Sequence, residues 1–173
     1  GRVGSEHVEV ATTYINMGVV LGKLGDYKKT LEYYTMALKI RVNTLAHDHV
    51  DVARTVENMG LVLRSQGQFA EALEKHQKSL EIKLKALGHD HVDVAKTYNN
   101  MGIVHESLGD YSKALECYQK ALEIRLKALG HDHVHVASSK LGIANILKSQ
   151  GKFTEALEEY HKVLEIQVKA LGH

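Results

Sequence analysis

An all-α chain, a solenoid of four tandem antiparallel helix pairs, is predicted from three observations: a 42-residue segment written four times, a helical period in both halves of each copy, and 14 Gly set against no Pro. The repetition is visible in one pentapeptide. His-Val-Glu-Val-Ala at 7–11 returns as His-Val-Asp-Val-Ala at 49–53 and 91–95, and as His-Val-His-Val-Ala at 133–137. Residues 47–88 and 89–130, laid over each other without a gap, agree at 27 of 42 positions, which shared composition alone does not produce. A period of this length marks a repeat array, in which each unit buries its apolar surface against its neighbours. The units run 5–46, 47–88, 89–130 and 131–172 as a single array, and residues 1–4 read as a cloning remnant ahead of it.

Each unit contains two helices. In the first half, Ala11, Tyr14, Met17, Gly18 and Leu21 follow the i, i+3, i+4, i+7 spacing of one helix face, which defines an A helix. Gly25, matched by Gly67, Gly109 and Gly151, ends it, because a residue free to take positive φ can reverse the chain there. Tyr27, Leu31, Tyr34 and Leu38 then define a B helix that no proline interrupts before Leu45. Asp48, Asp90 and Asp132 precede the next A helix, where a short carboxylate suits the orphan N–H groups and the positive end of the dipole. Ala72, Ala114 and Ala156 keep a small residue where helices approach closely, with Thr30 the exception. Tyr34, Tyr118 and Tyr160 hold a core aromatic position, and His76 at the same place in the second unit reads as a core-edge substitution and not a ligand.

Composition narrows the function. Hydrophobic residues at 44% and charged residues at 25% describe a folding globular chain, not a disordered one. Lys plus Arg of 22 against Asp plus Glu of 21 leaves a net charge of +1, which gives no global attraction to nucleic acid or an anionic membrane. No apolar run approaches the roughly 18 residues of a membrane span, and a cytoplasmic location is expected. Cys117 is the one cysteine, so neither an intramolecular disulfide nor a multi-cysteine zinc cluster is available, and its variable B-helix position is expected to be exposed.

The unit resembles the tetratricopeptide repeat (TPR). Gly18, Gly60, Gly102 and Ala144 in the A helices, the turn glycines, the following Tyr or Phe, Ala72/Ala114/Ala156, the Tyr34-type aromatic and Ala37/Ser79/Ala121 fall at that family's spacing. The period is longer than the usual figure of about 34. The proline that commonly ends the B helix is replaced by Val42, Leu84, Leu126 and Val168 near its place. The joint Leu87-Gly88-His89-Asp90-His91-Val92-Asp93-Val94-Ala95 is similar to that of the 42-residue class found in kinesin light chains and nephrocystin-like proteins. The resemblance implies a right-handed α-solenoid whose concave groove, lined by A helices, holds an extended peptide or a partner helix. It also implies that exposed A-helix positions vary between units, as Glu57/Asn99 and Arg64/Glu106 do.

Asn16, Asn58 and Asn100 recur in the middle of A helices, where Asn has poor intrinsic propensity, so a specific task is expected of them. In related repeats such an Asn bonds the ligand backbone or carboxylate, which its amide can do as donor and acceptor; the competing reading is a bond to backbone that bridges neighbouring units. Arg54/Asn58 and Lys96/Asn100 are i, i+4 pairs able to hold an acidic residue or terminal carboxylate. Gly142 and Ser138 break that pattern in the fourth unit, so strict selection of a C-terminal peptide is not expected.

The 12 histidines, notably His47-Asp48-His49, His89-Asp90-His91 and His131-Asp132-His133 with His135, carry metal-ligating chemistry, but they are joint residues repeated with the unit and no metal or other cofactor is expected. Charging of these histidines at the helix N-termini is expected to loosen the array in acid, a loss of thermal midpoint between about pH 8 and pH 5.5. Gly18-Val19-Val20-Leu21-Gly22-Lys23 has three residues between its glycines where a phosphate loop has four, and His105-Glu106 lacks the second His of a zincin helix. No catalytic set is present, and an enzyme is not expected.

The reading is a non-catalytic module that binds a protein or peptide partner, with no role for nucleic acid or membrane. Asn16, Arg54, Asn58, Lys96 and Asn100 make the contact, and Glu57, Arg64, Asn99 and Glu106 set selectivity. The alternative is a rigid spacer or a self-associating arm of a larger scaffold, since Ala170-Leu171-Gly172-His173 repeats the start of another joint and end-to-end association is expected of such an exposed stacking face.

Overall fold

The computed structural model describes the backbone of residues 2–172 and the side chains of residues 7–172. Eight α-helices follow one another among the described residues: α1 (Arg2–Lys23), α2 (Tyr27–Leu45), α3 (Val50–Ser65), α4 (Phe69–Leu87), α5 (Val92–Ser107), α6 (Tyr111–Leu129), α7 (Val134–Ser149) and α8 (Phe153–Ala170). Odd numbers are the A helices and even numbers the B helices. Residues 2–4, read from the sequence as a remnant, lie within α1, and Gly1 lies outside the described residues. The chain divides into two compact units, Gly1–Ala86 and Leu87–His173.

Each A helix stops at its turn glycine, as predicted. Gly25, Gly67, Gly109 and Gly151 have φ of 81°, 76°, 74° and 76°. Left-handed backbone at that point lets the following N–H reach back to the helix. Asp26, Gln68, Asp110 and Lys152 donate to the carbonyls of Leu21, Leu63, His105 and Leu147 at 2.9–3.0 Å, which satisfies acceptors that a blunt helix end would orphan.

The A-helix N-termini are capped differently from the expectation. The helices begin at Val50, Val92 and Val134, so the extended residue that can cap them is the histidine before each. Nδ1 of His49, His91 and His133 accepts from the backbone N–H of Asp51, Asp93 and His135 at 3.1 Å. Asp48, Asp90 and Asp132 stand one residue too early to cap. They pair instead with Lys85, Lys127 and Lys169, 37 residues along the chain. Carboxylate caps occur at B helices, where Asp26 and Asp110 accept from the N–H of Lys29 and Lys113 at 3.2 and 3.3 Å. Each of those two carboxyls is held below the usual range, Asp26 chiefly by that backbone N–H and Asp110 chiefly by the Lys113 ammonium.

Packing within a unit follows the aromatic and small-residue positions. In the first unit Tyr34 joins Met59 and Val62 in a cluster flanked by Ile15, Tyr27, Leu31 and Leu38. Tyr118, Ala114 and Ile146 make the matching cluster in the second. The Tyr118 ring lies between two glycines, since a Cβ on Gly102 or on Gly142 would come within 2.8 or 2.7 Å of it. Gly142 therefore departs from the Asn seen at 16, 58 and 100 for a packing reason. Thr30, the departure from Ala, is buried and donates its hydroxyl to the Gly18 carbonyl at 3.2 Å.

Two expectations about burial are corrected. His76 belongs to the interior and not to its edge: it is fully buried against Gly60, and neither ring nitrogen has a hydrogen-bond partner among the described residues. Cys117 is buried as well, and burial pushes its thiol up, away from the reactive thiolate.

Candidate partner-binding faces

An α-helix places residues i, i+4 and i+7 on one face, and on the A helices that face carries the predicted contact residues. In the first unit Asn16 on α1 and Arg54 on α3 are exposed and Asn58 is half-buried. Arg54 shares its guanidinium with Asp51 one turn earlier, at 3.3 Å. Asn58 lines a groove of about 310 Å³ with Val19, Gly22 and Lys23 of α1 and Leu61 and Ser65 of α3, floored by Tyr34. In the second unit Lys96 is exposed and Asn100 half-buried in the equivalent register of α5. Arg64 is half-buried and close enough to act electrostatically on His76.

Three residues expected to set selectivity are committed internally, which corrects that part of the reading. Glu57 is 1% exposed and ion-paired with Lys83 of α4, itself 1% exposed, at 2.9 Å. Asn99 is buried and accepts from Nη1 of Arg125 at 3.2 Å. Glu106 accepts the Tyr118 hydroxyl at 2.9 Å. Glu57 and Asn99 precede the half-buried Asn58 and Asn100 by one residue, so they are rotated by about 100° toward the B helix of their own repeat. Variation between units at these positions reflects a change of internal partner.

The residues missed from the sequence are the cations at 41, 83 and 125. Arg41 donates to the Asp51 carbonyl at 3.1 Å and to Thr55 Oγ1 at 2.8 Å. Arg125 makes the same bonds to the His135 carbonyl at 2.9 Å and Ser139 Oγ at 2.8 Å. Each guanidinium thus ties a B helix to the first turns of the next A helix. Burial lowers the pKa of both, yet arginine remains charged at any ordinary pH. The signal was present in the sequence: a cation every 42 residues, with a hydroxyl 14 residues later at Thr55, Thr97 and Ser139.

Among the described residues no group of three or more His, Cys, Asp or Glu side chains converges as a metal site would require. The pKa of His135 is lowered by its partial burial and by Arg125, and that of His105 by burial. Among the described residues no helix is long and apolar enough to cross a membrane.

Sequence profiles of the tetratricopeptide repeat match residues 9–85, 51–127 and 136–173. The chain belongs to the tetratricopeptide repeat family. Solved structures carry the same all-α arrangement of tandem helix pairs. BtubC (BKLC) from P. vanneervenii aligns with a TM-score of 0.85 at 22% identity, over 94% of this chain and 65% of its own. A kinesin light chain-like protein of Podospora anserina, built of nearly identical TPR-like repeats, aligns with a TM-score of 0.78 at 20% identity, over 94% of this chain and 77% of its own. The apo form of RapI aligns with a TM-score of 0.82 at 24% identity, over 94% of this chain and 57% of its own. The chain therefore spans less than two thirds of BtubC and of RapI. None of the curated proteins matches the sequence significantly. Repeats of this family are protein-interaction modules, in general non-catalytic scaffolds that bind protein partners.

Proposed function

We propose that this chain performs no catalysis and binds an extended or helical segment of a partner protein on the outward faces of its A helices. Each unit presents its own face, α1 with α3 in the first and α5 with α7 in the second. The supporting observation is the division of polar residues on α3 and α5. Arg54, Asn58, Lys96 and Asn100 lie on the outer register, while the acids Glu57 and Glu106 are turned inward to Lys83 and Tyr118. A face of cations and amides from which Glu57 and Glu106 are withdrawn, although Asp51 shares Arg54, suits a segment that offers carboxylates and backbone carbonyls. Asn16 extends this register onto α1, and Arg64 borders it.

Selection of a displayed peptide library on the chain tests the reading, with counter-selection on the variant Arg54→Ala/Asn58→Ala/Lys96→Ala/Asn100→Ala after circular dichroism has shown that it folds. Peptides sharing a motif that bind the parent and not the variant are expected, with affinity falling as salt rises. Enrichment of no motif, or equal retention by the variant, would overturn it.

A further inference from the structure

We propose that the chain also associates head to tail, the outer face of α8 in one copy receiving α1 of a second copy. The junction between consecutive helix pairs is built once within each unit. In the first, Tyr27 and Leu31 of α2 join Met59 and Val62 of α3, and Leu38 and Val42 cover Val52 and Ala53. In the second, Tyr111 and Leu115 of α6 join Ile143 and Ile146 of α7, and Leu122 and Leu126 cover Val136 and Ala137.

Both halves of this junction recur uncovered. Phe153, Leu157, Leu164 and Val168 on α8 take the register of Tyr27, Leu31, Leu38 and Val42, and the first three are 65%, 59% and 55% exposed. Val10, Met17 and Val20 on α1 take the register of Val52, Met59 and Val62, and they are 45%, 41% and 57% exposed where their counterparts are 3%, 8% and 8%. Met17, Val20, Leu21 and Tyr33 wall a groove of about 560 Å³. Met59 and Val62 pack with the aromatic Tyr27, so the side chain that the same register brings to Met17 and Val20 is Phe153. The occupant that fits α8 is therefore an A helix of this repeat type, and α1 of a second copy presents one.

The polar tie is weaker at this junction. Gln167 stands where Arg41 and Arg125 stand, and Glu9 and Thr13 stand where Asp51 and Thr55 receive the guanidinium. Thr13 already donates to the Glu9 carbonyl at 3.1 Å, as Thr55 does to Asp51 at 2.8 Å. A glutamine amide can donate to the same pair but brings no charge.

Because the two faces differ, the contact is heterologous, and this distinguishes it from a symmetric dimer. Light scattering of the intact chain across concentration is expected to show mass rising beyond the dimer. Val20→Glu and Leu164→Glu are each expected to be monomeric, and Met17→Lys with Leu157→Lys serves as a second pair should either lose helicity. An equimolar mixture of Val20→Glu and Leu164→Glu is expected to stop at a one-to-one dimer, since each supplies the face the other lacks. Gln167→Arg is expected to tighten association at least tenfold. A mass that stays monomeric from micromolar to millimolar concentration would overturn the proposal, as would persistence of a Val20→Glu homodimer. Arg54, Asn58, Lys96 and Asn100 lie outside this groove, which the partner-binding face meets at Asn16, so the quadruple alanine variant is expected to associate as the parent does.

Discussion

Ala46 has φ of 82° and ψ of 158°, a backbone region that glycine alone adopts without strain, at the joint where the next two units place Gly88 and Gly130 with φ of 83° and 80°. Removing the Cβ relieves that strain, and Ala46→Gly is expected to stabilise the first unit by about 1 kcal/mol in urea unfolding, the opposite of what glycine does inside a helix. Burial lowers the pKa of His76 to about 4, outweighing the attraction of Glu57. Between pH 6.5 and 4 the unfolded chain then binds a proton that the folded chain refuses. Stability present above pH 6.5 is lost as acid is added, by roughly 3 kcal/mol at full effect, and levels off below pH 4. His76→Tyr, which restores the residue found at 34, 118 and 160, is expected to flatten that part of a plot of thermal midpoint against pH. The Glu57–Lys83 pair gives a third expectation. Lys83→Ala strands a carboxylate in the interior and is expected to cost about 3–5 kcal/mol, while Glu57→Leu/Lys83→Met together cost far less. Equal losses in the single and double variants would contradict it.

At the scale of the element, the eight helices were legible because each feature that makes them repeats four times, so that one ambiguous residue is outvoted by its counterparts. The turn glycines were read correctly because their requirement is backbone geometry alone. The caps were not, because Asp48 and His49 are adjacent and both can accept a hydrogen bond; only the position of the first helical residue decides between them. His91→Ala is expected to lower the midpoint of unfolding by an amount equivalent to about 1 kcal/mol, and His91→Asn to recover most of it, since Asn supplies a neutral acceptor.

For the whole molecule, the array was readable from its period, and the side chains that differ between units were not. A substitution between duplicates looks the same in sequence whether the residue faces a ligand or has traded internal partners. Glu57 and Asn99 differ because Lys83 and Arg125 differ, a covariation that becomes visible only when residues 26 apart are placed side by side. The shared helix face of Arg54 with Asn58 and of Lys96 with Asn100 was legible from i, i+4 spacing. Burial of Cys117 was not, because its counterparts Tyr33, Lys75 and Glu159 carry no apolar pattern.

The internal pairing bears on how near-identical units find the right neighbour while folding. Duplicated segments invite a hairpin to close with the wrong copy, and such mispairings trap repeat proteins. In the register that sets Lys83 on Glu57 and Arg125 on Asn99, Arg41 and Gln167 correspond to Ile15 and Leu141, so no two of the four pairs are alike. A slip by one repeat that set α4 against α1 would bury the Lys83 ammonium beside Ile15 and leave Glu57 without its cation. The ion pair therefore acts as an address label: it rejects the wrong register at the moment of docking, which the uniform apolar stripes cannot do.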